Sequence, residues 1–424
     1  MSTVNTESLE LPLLTEAWEQ RQRRKKRKTR TVVFISVLVT AIWFIVIQSM
    51  GLWDRVIPQW RAALTMVFGS FVAGATPQGG GAVAFPVFTK VLQVPAEMAR
   101  TFSLAIQTIG MGTASLAIVI RGLSVEWRSV LLTTLSGLVG FSLVAAFALD
   151  PGAPFAPAML PGPYVKVTFT IVLLAMAFVV YVGSLVNVRE VHRTLPELNG
   201  RMLATLLLLG FIGGATSALV GSGMDVFIYL GLVVFFMIDP RVGVPTSVIC
   251  MTLISIFGFL MFGIADAHLW VDLNETGEVY RIGAKAVSLN EKGRLVFAAG
   301  TPLLQTRFDL LGMWLASIPV VTWGAPLGSW FASILSSRRL VLFVTLLALT
   351  ELCTTIIFLE PLRKDPALMV YALLGSIGAI ATVRWISKHR KEIFQLPDVN
   401  IHASFHADRL DVSERYSHTP EQSP

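Results

Sequence analysis

Two similar glycine-rich segments, about 140 residues apart, each interrupt an apolar stretch of the chain. The first reads Phe-Val-Ala-Gly-Ala-Thr-Pro-Gln-Gly-Gly-Gly at 71–81, and the second reads Phe-Ile-Gly-Gly-Ala-Thr-Ser-Ala-Leu-Val-Gly-Ser-Gly at 211–223. Such clusters break a helix and leave backbone N–H and C=O groups without helical partners. Within a membrane, these groups are tolerated only where protein covers them or water reaches them. The pair therefore predicts two broken helices around a polar transport site, although small residues also simply allow helices to pack closely.

The composition is that of a membrane protein. Hydrophobic residues make up 54% of the 424 residues and charged residues 14%, whereas a soluble protein carries about 25% charged residues. The stretches that contain the glycine clusters, 62–93 and 204–238, are too long for one crossing and too short for two, so we predict re-entrant hairpins or broken helix pairs there. Stretches of about 20 apolar residues, the length of one crossing, lie at 31–50, 101–120, 129–149, 164–186, 242–264, 308–335, 340–359 and 367–385.

A basic run precedes the first span, since eight of the ten residues at 21–30 are Lys or Arg. No aromatic residues are interleaved with it, so we interpret it as a cytoplasmic anchor facing the lipid bilayer and not as a nucleic-acid site. The preceding residues show no signal-peptide cleavage site, so we expect the first span to be retained. Cys250 and Cys353 lie in apolar stretches and predict neither a disulfide nor a metal site. No cofactor is predicted.

The positions of the arginines predict the orientation of the spans. With the N-terminus in the cytoplasm, a hairpin at 62–93 places Arg189, Arg193 and Arg201 inside. Each glycine hairpin is followed by three spans, and three is an odd number, so the second unit enters the membrane from the opposite face. We therefore predict an all-α polytopic fold with an inverted repeat of one hairpin plus three transmembrane helices, about eight full spans in total. It would lie in the plasma (inner) membrane with both termini cytoplasmic.

This topology divides the chain into seven segments. Turn signals around Asn274 and Asn290 also predict a small extracytoplasmic β insert at 266–307. The segments are a cytoplasmic basic tail at 1–30, an additional first span and outer loop at 31–61, repeat 1 at 62–186, a cytoplasmic linker at 187–203, repeat 2 at 204–359, an additional last span at 360–391, and a disordered cytoplasmic tail at 392–424.

The glycine segments and the spans that follow them carry the candidate binding residues. Backbone N–H groups in glycine-rich turns and at helix N-termini favour anions, so an oxyanion such as sulfite or a sulfonate suits the pattern. Arg100 has a second interpretation, in which its side chain extends to the outer surface. The predicted anion-binding residues are Thr76, Gln78, Gly79, Gly80, Gly81, Arg100, Gln107, Thr216, Ser217, Gly221, Ser222, Gly223, Thr246 and Ser247.

Two carboxylates are candidates for proton coupling. A carboxylate inside a membrane is costly unless it is neutral, paired or hydrated, and such residues are generally functional. Asp225 follows the second glycine segment, and Glu351 lies about halfway along its span. Asp225 has an alternative role as the N-cap of the helix that resumes after the glycine break.

Several motifs, in order along 62–359, resemble those of sulfite exporter TauE/SafE family permeases. The resemblance implies a secondary permease that moves sulfite, sulfoacetate or related sulfur compounds outward, linked to protons. Met224 and Asp225 depart from the family pattern, and the first span, the last span and the insert are additions to it, which leaves the substrate open. The motifs are Gly-Gly-Gly-Ala-Val-Ala-Phe-Pro at 79–86, the second glycine segment at 213–223, Asp-Pro-Arg-Val-Gly-Val-Pro-Thr-Ser at 239–247, Gly-Ala-Pro-Leu-Gly at 324–328 before Arg338 and Arg339, and Arg-Thr-Phe-Ser-Leu-Ala-Ile-Gln at 100–107 with Gly110 and Met111.

Two other classes of function stay open beside the non-enzymatic transporter. An intramembrane aspartyl protease would pair Asp225 with Asp309, but the sequence before Asp225 lacks the Gly-x-Gly-Asp pattern of such enzymes, and there is no His-Glu-x-x-His zinc motif. An anion channel, or a membrane scaffold that uses the outer insert for partners, is the other class. The sequence is also compatible with a homo-oligomer.

Overall fold

The computed structural model describes residues 7–79, 87–88, 92, 94, 96–148, 162–186, 192–264, 287–289, 295–297 and 310–397. This part of the chain is helical apart from connecting turns and one pair of short strands. The helices are α1 Glu7–Met50, α2 Trp53–Val56, α3 Trp60–Ala75, α4 Ala96–Arg121, α5 Trp127–Ala148, α6 Gly162–Val186, α7 Gly200–Val220, α8 Met224–Tyr229, α9 Pro240–Phe259, α10 Leu310–Ile334, α11 Ser337–Phe358, α12 Glu360–Lys364 and α13 Pro366–Phe394.

Within the described residues, eight helices are long and apolar enough to cross a membrane, which confirms an all-α polytopic membrane protein. Seven of them, α1, α4, α5, α9, α10, α11 and α13, coincide with predicted spans, and the eighth predicted span, 164–186, coincides with α6. The eighth of these helices is α7, which has 21 residues and contains most of the second glycine segment. Its partner arm is much shorter, because α8 and the π-helical turn Leu230–Phe235 that continues it span only residues 224–235. The second broken segment therefore has one long and one short arm.

Local capping explains why α7 is long. The Asn199 side chain accepts a hydrogen bond from the Met202 N–H and starts the helix before the apolar stretch begins. Gly221 ends it with a left-handed φ of 82°. Asp239 then starts α9 by accepting from the Arg241 N–H, with Pro240 in the first helical position. The chain therefore turns twice between α7 and α9.

Glycines set the closest helix contacts. A Cβ atom on Gly74 of α3 would overlap the Ala325 carbonyl of α10, and one on Gly214 of α7 would overlap the Gly137 carbonyl of α5. Small residues at such positions let backbones approach and allow close van der Waals packing in membranes. In the same bundle α4 packs against α9 and α10, α5 against α9, and α6 against α11. These contacts bury the middle of α4 and α9 and surround both helix breaks.

The added helices lie on the outside of this bundle. Helix α1 packs against α10 and α4, and the Trp43 indole donates to the Leu315 carbonyl at 2.8 Å. Helix α13 packs against α6 and is mostly exposed. Strands β1 Val287–Leu289 and β2 Leu295–Phe297 pair antiparallel. The rest of the predicted insert at 266–307, and the predicted tail beyond residue 397, lie outside the described residues.

Candidate functional site

The first helix break follows α3. Thr76 leaves the helix with extended backbone, φ −141° and ψ 161°, and its hydroxyl donates to the Val72 carbonyl at 2.9 Å. The buried Gln78 amide donates to the Val344 carbonyl of α11 at 3.0 Å, which ties the break to the opposite half of the bundle. Gly79 has a left-handed φ of 65°, a conformation that favours glycine. The predicted site residues Gly80 and Gly81 lie outside the described residues.

The second helix break joins α7 to α8. Gly221 and Gly223 have φ values of 82° and 139°, so both positions favour glycine. The Ser217 hydroxyl accepts the N–H of Met224, the first residue of α8, at 3.1 Å. The freed Gly221 carbonyl accepts hydrogen bonds from helix α4, at 2.9 Å from the Ser103 hydroxyl and 2.8 Å from the Gln107 amide nitrogen. The break is therefore held by α4 as well as by its own arms.

The two breaks meet at Gly79. An ideal Cβ atom placed on Gly79 would lie 2.6 Å from Asp225 Oδ2, 2.9 Å from Ser222 Oγ and 3.4 Å from Gln107 Oε1. All three side chains are at most 2% exposed. We call these three oxygen atoms, together with the backbone of Gly79, the oxygen pocket. It combines one residue from each glycine segment with Asp225 and a residue of α4.

The oxygen pocket lies near the middle of a membrane-spanning helix. At about 1.5 Å per residue, Gln107 lies about 17 Å along α4 from Ala96 and about 21 Å from Arg121. These distances place the pocket far from both ends of the helix. A polar site at this depth must satisfy its atoms with protein groups, bound ligands or water.

None of the three pocket oxygens has a hydrogen-bond partner within the described part of the chain. The other Asp225 oxygen, Oδ1, accepts the Val226 N–H at 3.0 Å. No ion pair to Asp225 is found among the described residues. A buried carboxylate without a counter-charge is unfavourable by several kcal/mol, so the pocket is chemically suited to hold a proton or another cation.

Asp225 is not the N-cap of α8. Gly223 occupies that position, and Asp225 is the second residue of the helix. Asp225 is therefore not the N-cap residue itself, although its carboxylate accepts the Val226 N–H in the first turn of the helix. Its carboxyl group still lies in the first turn of the helix, where a negative charge interacts favourably with free N–H groups.

Two other predicted residues lie beside the second break. The backbone of Arg100 contacts Gly221, and its guanidinium carbon lies 4.6 Å from the centre of the Phe262 ring. The Thr216 hydroxyl donates to the Ile212 carbonyl within its own helix at 2.8 Å. Ser103, which holds Gly221, was not among the predicted site residues. Its position four residues before Gln107 places both side chains on one face of α4, which was the available signal.

Thr246 and Ser247 make their hydrogen bonds elsewhere. The Thr246 hydroxyl accepts the Glu126 N–H at 3.0 Å, just before α5, and donates to a carbonyl of α9. The Ser247 hydroxyl donates to the Val244 carbonyl at 3.0 Å. The Thr246–Glu126 bond holds the start of α5 against α9, whereas the other two lie within α9. Among the described residues, no hydrogen bond links either side chain to the oxygen pocket.

Glu351 is half-buried on α11 and accepts hydrogen bonds from hydroxyls of its own helix, at 3.3 Å from Thr355 and 3.5 Å from Thr354. The carbonyl of α11 that accepts the Gln78 hydrogen bond belongs to Val344. Glu351 lies seven residues further, about 10 Å along the helix axis. The structure thus separates the two candidate coupling carboxylates, with only Asp225 in the oxygen pocket.

Comparison with known families matches part of this chain to a family model. The family model described as Sulfite exporter TauE/SafE matches residues 62–284, more than half of the 424 residues. The matched region begins with α3 and includes all four residues of the oxygen pocket. Comparisons with curated proteins and with solved structures found no match.

Proposed function

Because the chain belongs to the sulfite exporter TauE/SafE family, and is therefore an integral, multi-pass membrane transporter, we propose that it carries sulfite, an organosulfonate or a related small sulfur-containing anion. The observation that carries the proposal is the convergence of both helix breaks on Gly79. Discontinuous helices that meet near the middle of the bilayer are the usual binding sites of secondary transporters. We place the protein in the plasma membrane with both termini in the cytoplasm.

Alternating access between two inverted repeats is the proposed mechanism. The helix contacts support it, because exchanging α3–α6 with α7–α11 maps the contacts onto one another. Helix α3 packs on α10 as α7 packs on α5, and α4 packs on α10 as α9 packs on α5. The α4–α9 and α6–α11 pairs map onto themselves. Two similar units around one central site are the arrangement that rocking mechanisms use.

The coupling role is assigned to Asp225 on electrostatic grounds. An ionised Asp225 would repel an anion, whereas its protonated carboxyl is neutral and offers one hydrogen-bond donor. We propose that the anion binds next to the pocket, at the backbone N–H groups of the glycine breaks. Arg100, whose backbone contacts Gly221 and whose guanidinium packs on Phe262, would attract the anion from further away. Anion binding and protonation of Asp225 would then occur together.

The test is uptake of radiolabelled sulfite by proteoliposomes with an imposed pH difference. We expect Asp225→Asn to lose the pH dependence and to keep part of the sulfite–sulfite exchange, because a neutral amide still admits the anion. Glu351→Gln tests the second candidate carboxylate separately, and we expect sulfite uptake by this variant to stay pH-dependent. Unchanged pH-dependent uptake in Asp225→Asn would remove the coupling role from Asp225, and its loss in Glu351→Gln would move that role to α11.

The alternative function is that of an anion channel. A carrier must return its site across the membrane, so internal sulfite accelerates uptake of labelled external sulfite. A channel shows no such stimulation. Counterflow in the same proteoliposomes therefore decides between the two functions, and its absence together with sulfite conductance would replace the carrier with a channel.

A further inference from the structure

We infer that the oxygen pocket is a binding site for a monovalent cation, and that Na⁺ occupies it when Asp225 is ionised. The inference extends the proposed function. The role of the ion in transport rests on that proposed function, whereas Na⁺ binding itself does not. Three oxygen atoms from a carboxylate, a hydroxyl and an amide lie within 3.4 Å of one position beside Gly79, and none of them has a hydrogen-bond partner among the described residues. Oxygen ligands at unwound helices are typical of Na⁺ sites in secondary transporters.

The orientation of the Gln107 amide follows from its hydrogen bonds. Its nitrogen donates to two carbonyl groups, at 2.9 Å to Ser103 and 2.8 Å to Gly221. Carbonyl groups only accept hydrogen bonds, so the amide nitrogen must face them. The amide oxygen consequently faces Gly79 and is available as a ligand.

The missing side chain of Gly79 lets the three oxygens approach its backbone. A Cβ atom there would lie 2.6–3.4 Å from all three oxygens. Oxygen ligands bind Ca²⁺, an ion of similar radius to Na⁺, at about 2.3–2.6 Å. The Cβ position itself is one covalent bond from the Gly79 Cα and cannot hold an ion, so we place the ion further out, where the three oxygens would coordinate it.

The charge of the pocket selects a monovalent ion. Asp225 is its one carboxylate, and no group of three or more His, Cys, Asp or Glu side chains occurs within the described residues. Protein Ca²⁺ sites usually combine several carboxylates and carbonyls. One bound Na⁺ neutralises one carboxylate, as one proton does.

Protons and Na⁺ are expected to compete for Asp225. Among the described residues, the thiol of Cys250 on α9 interacts electrostatically with Asp225, and the buried phenol of Tyr229 lies four residues further along α8. The Arg100 guanidinium packs on the Phe262 ring. Below the pH at which Asp225 takes up its proton, the apparent Na⁺ affinity should fall about tenfold per pH unit.

The experiment is equilibrium binding of radioactive sodium to the purified full-length protein, over a pH series, with KCl or choline chloride keeping the ionic strength constant. We expect Na⁺ to bind saturably to the unmodified protein, and we expect protons to displace the bound Na⁺. Asp225→Asn should abolish it, and Ser222→Ala should weaken it by at least about tenfold, the usual effect of losing a supporting ligand group. The matched control is Ser129→Ala, which removes another buried, unpartnered serine hydroxyl at the start of α5 and should bind Na⁺ normally.

Two results would overturn the inference. One is the absence of saturable Na⁺ binding to folded protein, and the other is retention of binding in Asp225→Asn. Folding of each variant is checked by thermal unfolding in detergent, so lost binding is not confused with lost structure. If Na⁺ fails to bind while sulfite transport is pH-dependent, this inference fails and the proposed function stands. If Na⁺ binds while no sulfur anion is carried, the cation site stands and the proposed function fails.

Discussion

Replacing Gly79 with alanine should damage transport more than it damages the fold. The residue has a φ of 65°, and a left-handed conformation costs a residue with a Cβ atom about 1–2 kcal/mol. The new Cβ atom would lie 2.6 Å from Asp225 Oδ2 and 2.9 Å from Ser222 Oγ, whereas ordinary contacts begin at 3.4 Å. The carboxyl oxygen must therefore move by about 0.8 Å and the hydroxyl by about 0.5 Å.

The expected magnitudes follow from these shifts. The free energy of unfolding should fall by about 1–2 kcal/mol, from the backbone conformation alone. Displacing a functional group by about 1 Å can reduce a rate by about 10²-fold, so the initial rate of sulfite uptake should fall at least about tenfold. Both quantities are measured on the same purified protein, by denaturant unfolding in mixed micelles and by uptake into proteoliposomes.

Gly112→Ala is the matched control for this prediction. Gly112 lies in α4, and a Cβ atom there would meet no other atom within 4 Å. We expect normal uptake and equal or slightly higher stability, because alanine favours a helix over glycine by about 1 kcal/mol. The reasoning would be refuted if Gly79→Ala carried sulfite at the normal rate, since the oxygen pocket would then not need the space beside Gly79.

Three further predictions concern the packing and topology around the site. Gly74→Ala should lower the free energy of unfolding by about 1–3 kcal/mol through overpacking against α10. The control Gly378→Ala should not lower it, because a Cβ atom there meets no atom within 4 Å. Equal free energies of unfolding for the two variants would contradict the close contact at Gly74. Ser217→Ala removes the acceptor for the first N–H of α8 and should cost about 1 kcal/mol, measured in the same unfolding assay, where an unchanged value would count against the bridge between the two arms. Single cysteines next to Arg100 and next to Arg241, in a cysteine-free background, should react with an impermeant maleimide from opposite faces of the membrane, and labelling from one face would overturn the inverted repeat.

Local signals predicted the two breaks, whereas the caps that start α7 and α9 were not predicted. The glycine clusters mark both interruptions, and the polar residues at 199 and 239 start α7 and α9 as caps. The unequal lengths of the two arms of the second segment were harder to predict. The apolar stretch begins at 204, so apolar content alone does not indicate the extra helical turn that Asn199 adds before it. Apolar content predicts burial in the membrane, whereas the cap determines where the helix starts.

The contacts between the site residues were harder to predict from the sequence. Gln107 and Ser222 were both candidates, but their approach to Gly79 depends on how three separate helices pack. Thr246 shows the opposite case, because its place in the span after the second glycine segment predicted an anion-binding residue, whereas in the structure its hydroxyl holds the start of α5. Symmetry between repeats is a property of the backbone, and each side chain then bonds to whatever lies within reach.

The asymmetry between the two glycine segments has an electrostatic consequence. The first segment contributes bare backbone at Gly79, and the second contributes the hydroxyl of Ser222 and leads directly into Asp225. If the two segments formed separate sites, an anion could bind to the first whatever the charge of the second. They meet at one position, so an anion at the Gly79 backbone lies beside the Asp225 carboxylate, and the repulsion between unit charges a few ångströms apart in a low-dielectric interior amounts to several kcal/mol. Under the proposed function, the anion would therefore bind together with a proton or Na⁺ on Asp225, and the two fluxes would be coupled if only the empty and the fully loaded carrier reorient.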